Sequence, residues 1–422
     1  MIDAEWRLWV ATGSLRSGGP YTWHIIDFDQ RRHFGVTYAP VAEVEDVEET
    51  EDVCLTQLRR HLDQLGPVVY GIRFTEPDGP VSFLTDQDAD DQTTYINNYP
   101  LFALNLSFPV KAVFLADLKE LDRLGPQVDL VSYPGTPCTT PGTTVAAFKY
   151  WFMENGMFRT WHELNDWSRL PRDHPHIVPF DSVVLDHNAG GIVGFTSRYI
   201  PGGTLRENNA TKRRFCLRWL HQLLSVVDDL NYRYGIMHQD IAARNLVVDE
   251  NNNLRIFDFN YAIRIGKDYN PARDDIKGVI FTLFEVVTLD EHFREVPHVE
   301  QDAEAVLRMT WEKHPDVQLD ADLEVFQSTL DTWVAERKAK EFTPRDTWLD
   351  WPQMPTPPAV ELPTYDKEGK VTGTKVKSVR VVERRDLVAL NKQFWNWERP
   401  ASYSLTEALA KKQAAEEETR AN

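Results

Sequence analysis

The residues best suited to chemistry lie in the run Gly235–Val248 and just beyond it. Asp240 supplies a carboxylate, Asn245 an amide five residues later, and Asp258 a second carboxylate behind the short apolar run Leu254–Phe257. Two of these groups offer the oxygen atoms that a hard divalent cation prefers. The third can take a proton from a hydroxyl. Chemistry on a metal-bound triphosphate requires that combination. Each residue taken alone has a plainer use, since Asp and Asn commonly cap turns.

Such groups work only if ordered elements hold them, and the flanking sequence supplies these. Lys212–Tyr234 carries Phe215, Leu217, Trp219, Leu220, Leu223, Leu224, Val227 and Leu230 at three- and four-residue spacing, which predicts a helix leading into the loop. Upstream, Thr144–Tyr150 reads as a strand ending at Lys149, Phe158–Leu170 as a helix, and Gly191–Leu205 as a buried strand running into a Pro-Gly-Gly turn. Leu121–Tyr133 reads as strand and turn with one glycine, Gly125. The following Pro134–Thr144 is a loop that does not fit G-x-x-x-x-G-K-[ST]. His174 and His176 flank a proline with no third ligand in view, which does not make a metal site.

In this order the segments resemble the motifs of the eukaryotic protein kinases. His238-Gln239-Asp240 with Asn245 is similar to their catalytic loop, and Asp258-Phe259-Asn260 to their metal-binding motif, with one departure each. Thr144–Lys149 is similar to their lysine-bearing strand, and Asp274–Val287 to a helix whose buried acid, here Asp275, holds the catalytic-loop backbone. The resemblance implies an α+β, bilobal kinase-like fold. Its domain would span about 118–340, with a small β-rich lobe over about 118–203 and a large helical lobe over about 204–340. It implies ATP and Mg²⁺ as cofactors, a protein substrate, Asp240 as the base, Arg244 beside it, and Asn245 and Asp258 as metal ligands. Lys149 would hold the α and β phosphates and pair with Glu163, which is preferred to Glu154 because the latter follows the strand too closely. Gly125 would stand in the eroded glycine-rich loop, Ser197 as gatekeeper, and Arg198, Tyr199 and Ile200 in the hinge against adenine.

Three departures bear on activity. Gln239 replaces an arginine that in many kinases pairs with a phosphorylated activation loop, and between Asp258 and Asp275 the only hydroxyls are Tyr261 and Tyr269. The expectation is that phosphorylation of that loop does not switch the protein on. Asn260 stands for glycine, a mild change if positive φ is needed there. The Ala-Pro-Glu motif is missing. The readings left open are an active kinase, a pseudokinase used as a scaffold, and a small-molecule phosphotransferase. Arg244, with Ala242 two residues earlier, hints at tyrosine as acceptor.

The remaining sequence bounds the setting. A chain of 422 residues with 42% hydrophobic content can bury a sizeable core. Acidic residues outnumber basic ones by 65 to 46, for a net charge of −19, which disfavours nucleic acid as a partner. Three scattered cysteines suggest neither disulfides nor a zinc site, and no apolar run reaches membrane-spanning length, so an intracellular protein, cytoplasmic or nuclear, is expected. Residues 1–110 read as short strands, an acidic stretch with seven carboxylates over Glu43–Asp52, and one amphipathic helix over Val53–Leu65. Helices are expected over Val299–Met309 and Leu323–Lys338. The extension over 341–422 reads as a Pro-rich linker or lobe-hugging strap, a hairpin within Thr364–Leu387 turning at Asp366–Gly369, and a helical tail after Thr406. Lys375, Lys377, Arg380, Arg384 and Arg385 cluster there as a charged strand face that could dock on the protein's own acidic surface.

Overall fold

Alternating apolar residues in the first hundred positions build a sheet. The computed structural model describes residues 1–15, 20–40, 48–135, 142–188 and 190–421; the first half of the acidic stretch and most of the Pro134–Thr144 loop lie outside them. Strands β1 (Leu8–Leu15), β2 (Tyr21–Asp27) and β3 (Arg32–Tyr38) form an antiparallel meander. Helix α1 (Thr50–His61) crosses over to β4 (Gly71–Phe74), parallel to β3, and β5 (Ser82–Leu84) completes the order β1-β2-β3-β4-β5. Because successive residues of a strand face opposite ways, Ile25 packs with Cys54 and Leu58 of α1 while Ile26 packs on the other side with Phe148 and Tyr150. The first sheet is thus covered on both faces.

Strand β6 (Thr94–Ile96) stands outside both large sheets; the second of these comes from β7 (Ala112–Phe114), β8 (Lys119–Gly125), β9 (Val128–Pro134), β10 (Thr143–Tyr150), β11 (Phe180–Leu185) and β12 (Ile192–Arg198), in the order β7-β11-β12-β10-β9-β8. Only β7 and β11 pair in parallel in this sheet. Between β10 and β11 runs α2 (Met157–Arg169), whose buried Trp161, Leu164 and Trp167 join the main core. A Cβ on Gly194 would lie 2.2 Å from the Lys149 carbonyl oxygen, so glycine is required where β12 passes β10.

The helix-rich part follows. Helix α3 (Leu217–Asp228) starts five residues later than its periodicity predicts, because the Phe215 backbone is drawn into pairing with Gln318 and Leu319. It widens at its end into a π turn over Asp229–Arg233. With α5 (Asp275–Thr288) and α8 (Leu323–Lys338) it encloses the largest core cluster. Two short ladders, Ile236–Met237 with Ile263–Arg264 and Leu246–Val248 with Leu254–Ile256, fix the loops that carry Asp240 and Asp258.

The C-terminal extension returns along the whole molecule. Residues 345–358 form an irregular strap from Tyr232–Tyr234 to Asn97 and Tyr99. The expected hairpin turns at Asp366–Gly369, with its first strand reaching back to Ala359: Ala359–Tyr365 pairs with Val371–Ser378, and Val381–Glu383 then pairs with Thr94–Ile96. The basic cluster is divided. Arg384 binds Asp91 and Glu398, and Arg380 binds Glu154, whereas Lys375 and Lys377 sit on a strand exposed along its length rather than docked on an acidic surface. The final helix, Leu405–Ala421, seats Leu405 in the core of the first sheet. Among the described residues no helix is long and apolar enough to cross a membrane.

Candidate active site

A cavity of about 370 Å³ opens between the second sheet and the helix-rich part, within the usual range for small-molecule sites. Gly125, Lys149, Glu163, Ser197, Arg198, Tyr199, Ile200 and Asp258 all line it. The strand period explains the wall. Ala147 and Lys149 alternate onto one face of β10, and Phe195 and Ser197 do the same on β12. The helix period explains the rest, since Glu163 and Trp167 lie one turn apart on α2.

Lys149 holds the polar end of the cavity. Its Nζ stands 2.7 Å from Glu163 Oε2 and 2.5 Å from Asp258 Oδ1. Glu163 is fully buried and also accepts the Phe259 backbone N–H at 3.1 Å, which couples α2 to the loop after Asp258. The preference for Glu163 over Glu154 matches this geometry, in which Glu154 pairs with Arg380 at the surface. Burial pushes the Glu163 carboxyl up to about 8, against the pull of Lys149. Burial also opposes ionisation of Asp258, but the adjacent ammonium outweighs it and keeps that carboxyl below its usual range. Lys149 is raised in turn, since its two carboxylates more than reverse the cost of burying its charge.

The loop carrying Asp240 is tied down from beneath. Asp275, 1% exposed, accepts the backbone N–H groups of His238 at 2.9 Å and Gln239 at 2.8 Å and the Asn231 amide at 2.8 Å. His238 Nε2 meets the Phe257 carbonyl at 3.0 Å; a carbonyl only accepts, so that nitrogen carries the proton and Nδ1 accepts from the Asp240 N–H. Asn245 donates its amide to both the backbone and the side chain of Asp240, at 2.8 Å each, and its backbone carbonyl accepts the Phe257 N–H. Arg244 pairs with the other Asp240 oxygen. Asp240, Arg244 and Asn245 therefore lie beside the cavity, linked through Phe257 to Asp258, rather than in its wall.

One sequence expectation changes here. The left-handed backbone residue is Asp258, at φ 66°, with Gln239 at φ 63°, whereas Asn260 does not have positive φ, so the glycine replaced by Asn260 is not missed for that reason. His174 and His176 are packed side chains, bonded to Asp229 and to the Leu254 carbonyl. Among the described residues no group of three or more His, Cys, Asp or Glu could hold a metal alone. The Asn245 oxygen and the Asp258 carboxylate suit Mg²⁺, which takes few protein ligands and completes its shell with phosphates and water.

The roof of the cavity is the β8–β9 hairpin, turned by only Pro126 and Gln127, the latter at φ 59°. Sequence reading found Gly125 but missed what braces the hairpin from outside. Arg123 donates to Asp29 at 2.7 Å, Arg399 to Glu120 at 2.6 Å and to Asp129 at 3.0 Å, and Arg31 pairs with Asp129. These partners are up to 279 residues apart, and no local pattern marks them.

The fold and this geometry resemble those of the protein kinase-like superfamily, and comparison with known families supports the same class. The family described as protein tyrosine and serine/threonine kinase matches residues 153–291. The chain is similar to the hormonally up-regulated neu tumor-associated kinase of Mus musculus, 32% identical over 90 residues, which is 20% of this chain and 12% of that protein. It is also similar to the CBL-interacting protein kinase 15 of Oryza sativa subsp. japonica, 33% identical over 90 residues and 20% of each chain. The CBL-interacting serine/threonine-protein kinase 19 of Arabidopsis thaliana is 33% identical over 89 residues, 20% of this chain and 18% of that protein. The chain thus spans a fifth or less of these relatives.

Proposed function

We propose that this protein is an ATP- and Mg²⁺-dependent protein kinase, with residues of about 118–340 as its two-lobed catalytic unit. The observation that carries the reading is Lys149 fixed between Glu163 and Asp258 at the end of the cavity, with Asp240 and Asn245 bonded to each other beside it. Lys149 holds the nucleotide phosphates, and the Arg198–Ile200 segment faces the base. Asn245 and Asp258 hold Mg²⁺, which neutralises phosphate charge when bound. Asp240 orients a Ser, Thr or Tyr hydroxyl of the protein acceptor and takes its proton as the oxygen bonds to the γ-phosphorus and the bridging oxygen leaves. Arg244 keeps the Asp240 carboxylate aimed.

ATP binding with and without Mg²⁺, followed by phosphotransfer to the protein itself and to mixed peptides, tests the reading. Asp240→Asn is expected to cut turnover by about 10²- to 10⁴-fold while retaining nucleotide, the contribution typical of a positioned base. Lys149→Met is expected to weaken both steps. The short roof turn favours one second reading, a pseudokinase acting as a scaffold; absence of nucleotide binding at millimolar ATP selects it.

A further inference from the structure

The segment after Asp258 is tied down by side chains of the protein itself. Its hydroxyl-bearing residues, Tyr261 and Tyr269, are already engaged: Tyr261 accepts from Arg159 at 2.7 Å, and Tyr269 donates to Asp274 at 2.9 Å. Gln239 leaves no arginine at the position from which many kinases grip a phosphorylated loop. The C-terminal strap lies across this same segment instead. The Trp348 ring covers Gly235, where a Cβ would meet it at 2.4 Å and where φ is 69°, and it also reaches Gly266. Leu349 N–H donates to the Tyr234 carbonyl at 2.8 Å, and Trp348 Nε1 to that of Tyr232 at 3.1 Å. One residue on, the Asp350 carboxylate sits between Arg264 at 3.0 Å and Lys267 at 2.8 Å. Arg264, largely buried, further donates to the Trp351 carbonyl at 2.8 Å and lies over the Trp351 ring, 5.0 Å from its centroid.

We propose that the strap is a built-in substitute for the phosphate that orders this segment in regulated kinases, with Trp348, Asp350 and Trp351 as positioning residues. The chemistry matches that task. A phosphate orders a loop by placing anionic oxygens between cationic side chains, and Asp350 places a carboxylate between Arg264 and Lys267. Asp350 is largely exposed, so its charge sets the register while the aromatic contacts supply most of the hold. Strap and loop also share an anchor. Trp348 closes on Gly235 immediately before the ladder strand Ile236–Met237, which pairs with Ile263–Arg264, so the strap bears on both sides of the Asp240 loop at once.

The inference rests on reading residues 258–273 as the activation segment of a kinase site. Its test is amide hydrogen exchange on the full chain for the wild type, Trp348→Ala, Trp348→Phe and Asp350→Asn, each with its melting temperature. Trp348→Ala is expected to raise exchange over residues 261–268 and 235–240 by about tenfold, with residues 275–288 unchanged. Trp348→Phe should stay near the wild type, and Asp350→Asn should raise exchange in the same segment by about twofold. Unchanged segment exchange in a folded Trp348→Ala protein overturns the proposal, as does even loosening of the whole chain. If Trp348→Ala does not fold, the same segment in Asp350→Asn decides. Where phosphotransfer is measurable, kcat should fall in Trp348→Ala with KM for ATP held, and Tyr261→Phe and Tyr269→Phe should keep wild-type turnover. A wild type that binds no ATP defeats the kinase reading but leaves the exchange result to judge the strap.

Discussion

The floor and the roof of the cavity are built on different terms. The floor is tied by bonds between residues no more than 44 apart that all fall within the matched kinase stretch: Asp275 to His238, Gln239 and Asn231, and Asn245 to Asp240. The roof lies before that stretch and keeps one glycine, next to a two-residue turn, yet it is braced by charged residues from both ends of the chain. The floor must present reactive atoms within narrow limits, so the residues that aim them are fixed in type. The roof only has to cover a ligand, and its rigidity can come from any neighbour that reaches it.

The sharpest way to break the floor is Asp275→Ala, which leaves two backbone N–H groups and the Asn231 amide without their buried acceptor. It is expected to cost about 3 kcal/mol in denaturant unfolding. A smaller effect distinguishes the cavity wall. The Glu163 carboxyl rises from an ordinary 4.5 to about 8 on folding, so between those values this group holds its proton more in the native state than in the unfolded chain, and its contribution to stability falls as pH rises. Glu163→Gln should flatten that slope in unfolding measured across pH 5 to 8. A residue of it should persist from Asp166, a buried carboxyl one turn on that is raised by burial and by Glu163 itself. Lys149, raised, and Asp258, lowered, keep their charges throughout this window. The least effect belongs to the roof, where Gln127→Gly relieves a left-handed residue but adds freedom to the unfolded chain. Its melting temperature should report a net change below about 1 kcal/mol.

Much of the floor was legible because it is local. The five-residue step from Asp240 to Asn245 and the helical spacing of Glu163 with Trp167 are properties of short segments, and the structure brings them together as those spacings imply. The helix ends were less legible. The apolar pattern from Phe215 belongs to a core shared with residues 318–319, and periodicity does not say whether a buried residue sits in a helix or in a bridge beside it. Asn260 misled because residue preference for positive φ was read at a position where the backbone turns two residues earlier, at Asp258. A strap was expected from the Pro-rich composition, but the residues it touches, and the roof brace, were hidden for another reason. A lone Trp348 in an irregular stretch, or Arg399 near the chain end, has no spacing to a partner that a sequence window can span.

Arg7 shows what such long-range pairing means for the order of events. Fully buried, it binds Asp27 at 2.9 Å and the Tyr403 carbonyl at 2.9 Å, while Leu405 fills the core beneath β1 to β5. At roughly 5–20 residues per second, the ribosome makes the first sheet many seconds before the segment that closes it. A sheet made early is therefore finished late, and until then Arg7 lacks the Tyr403 carbonyl and the apolar face that Leu405 fills stays open, which is business for chaperones.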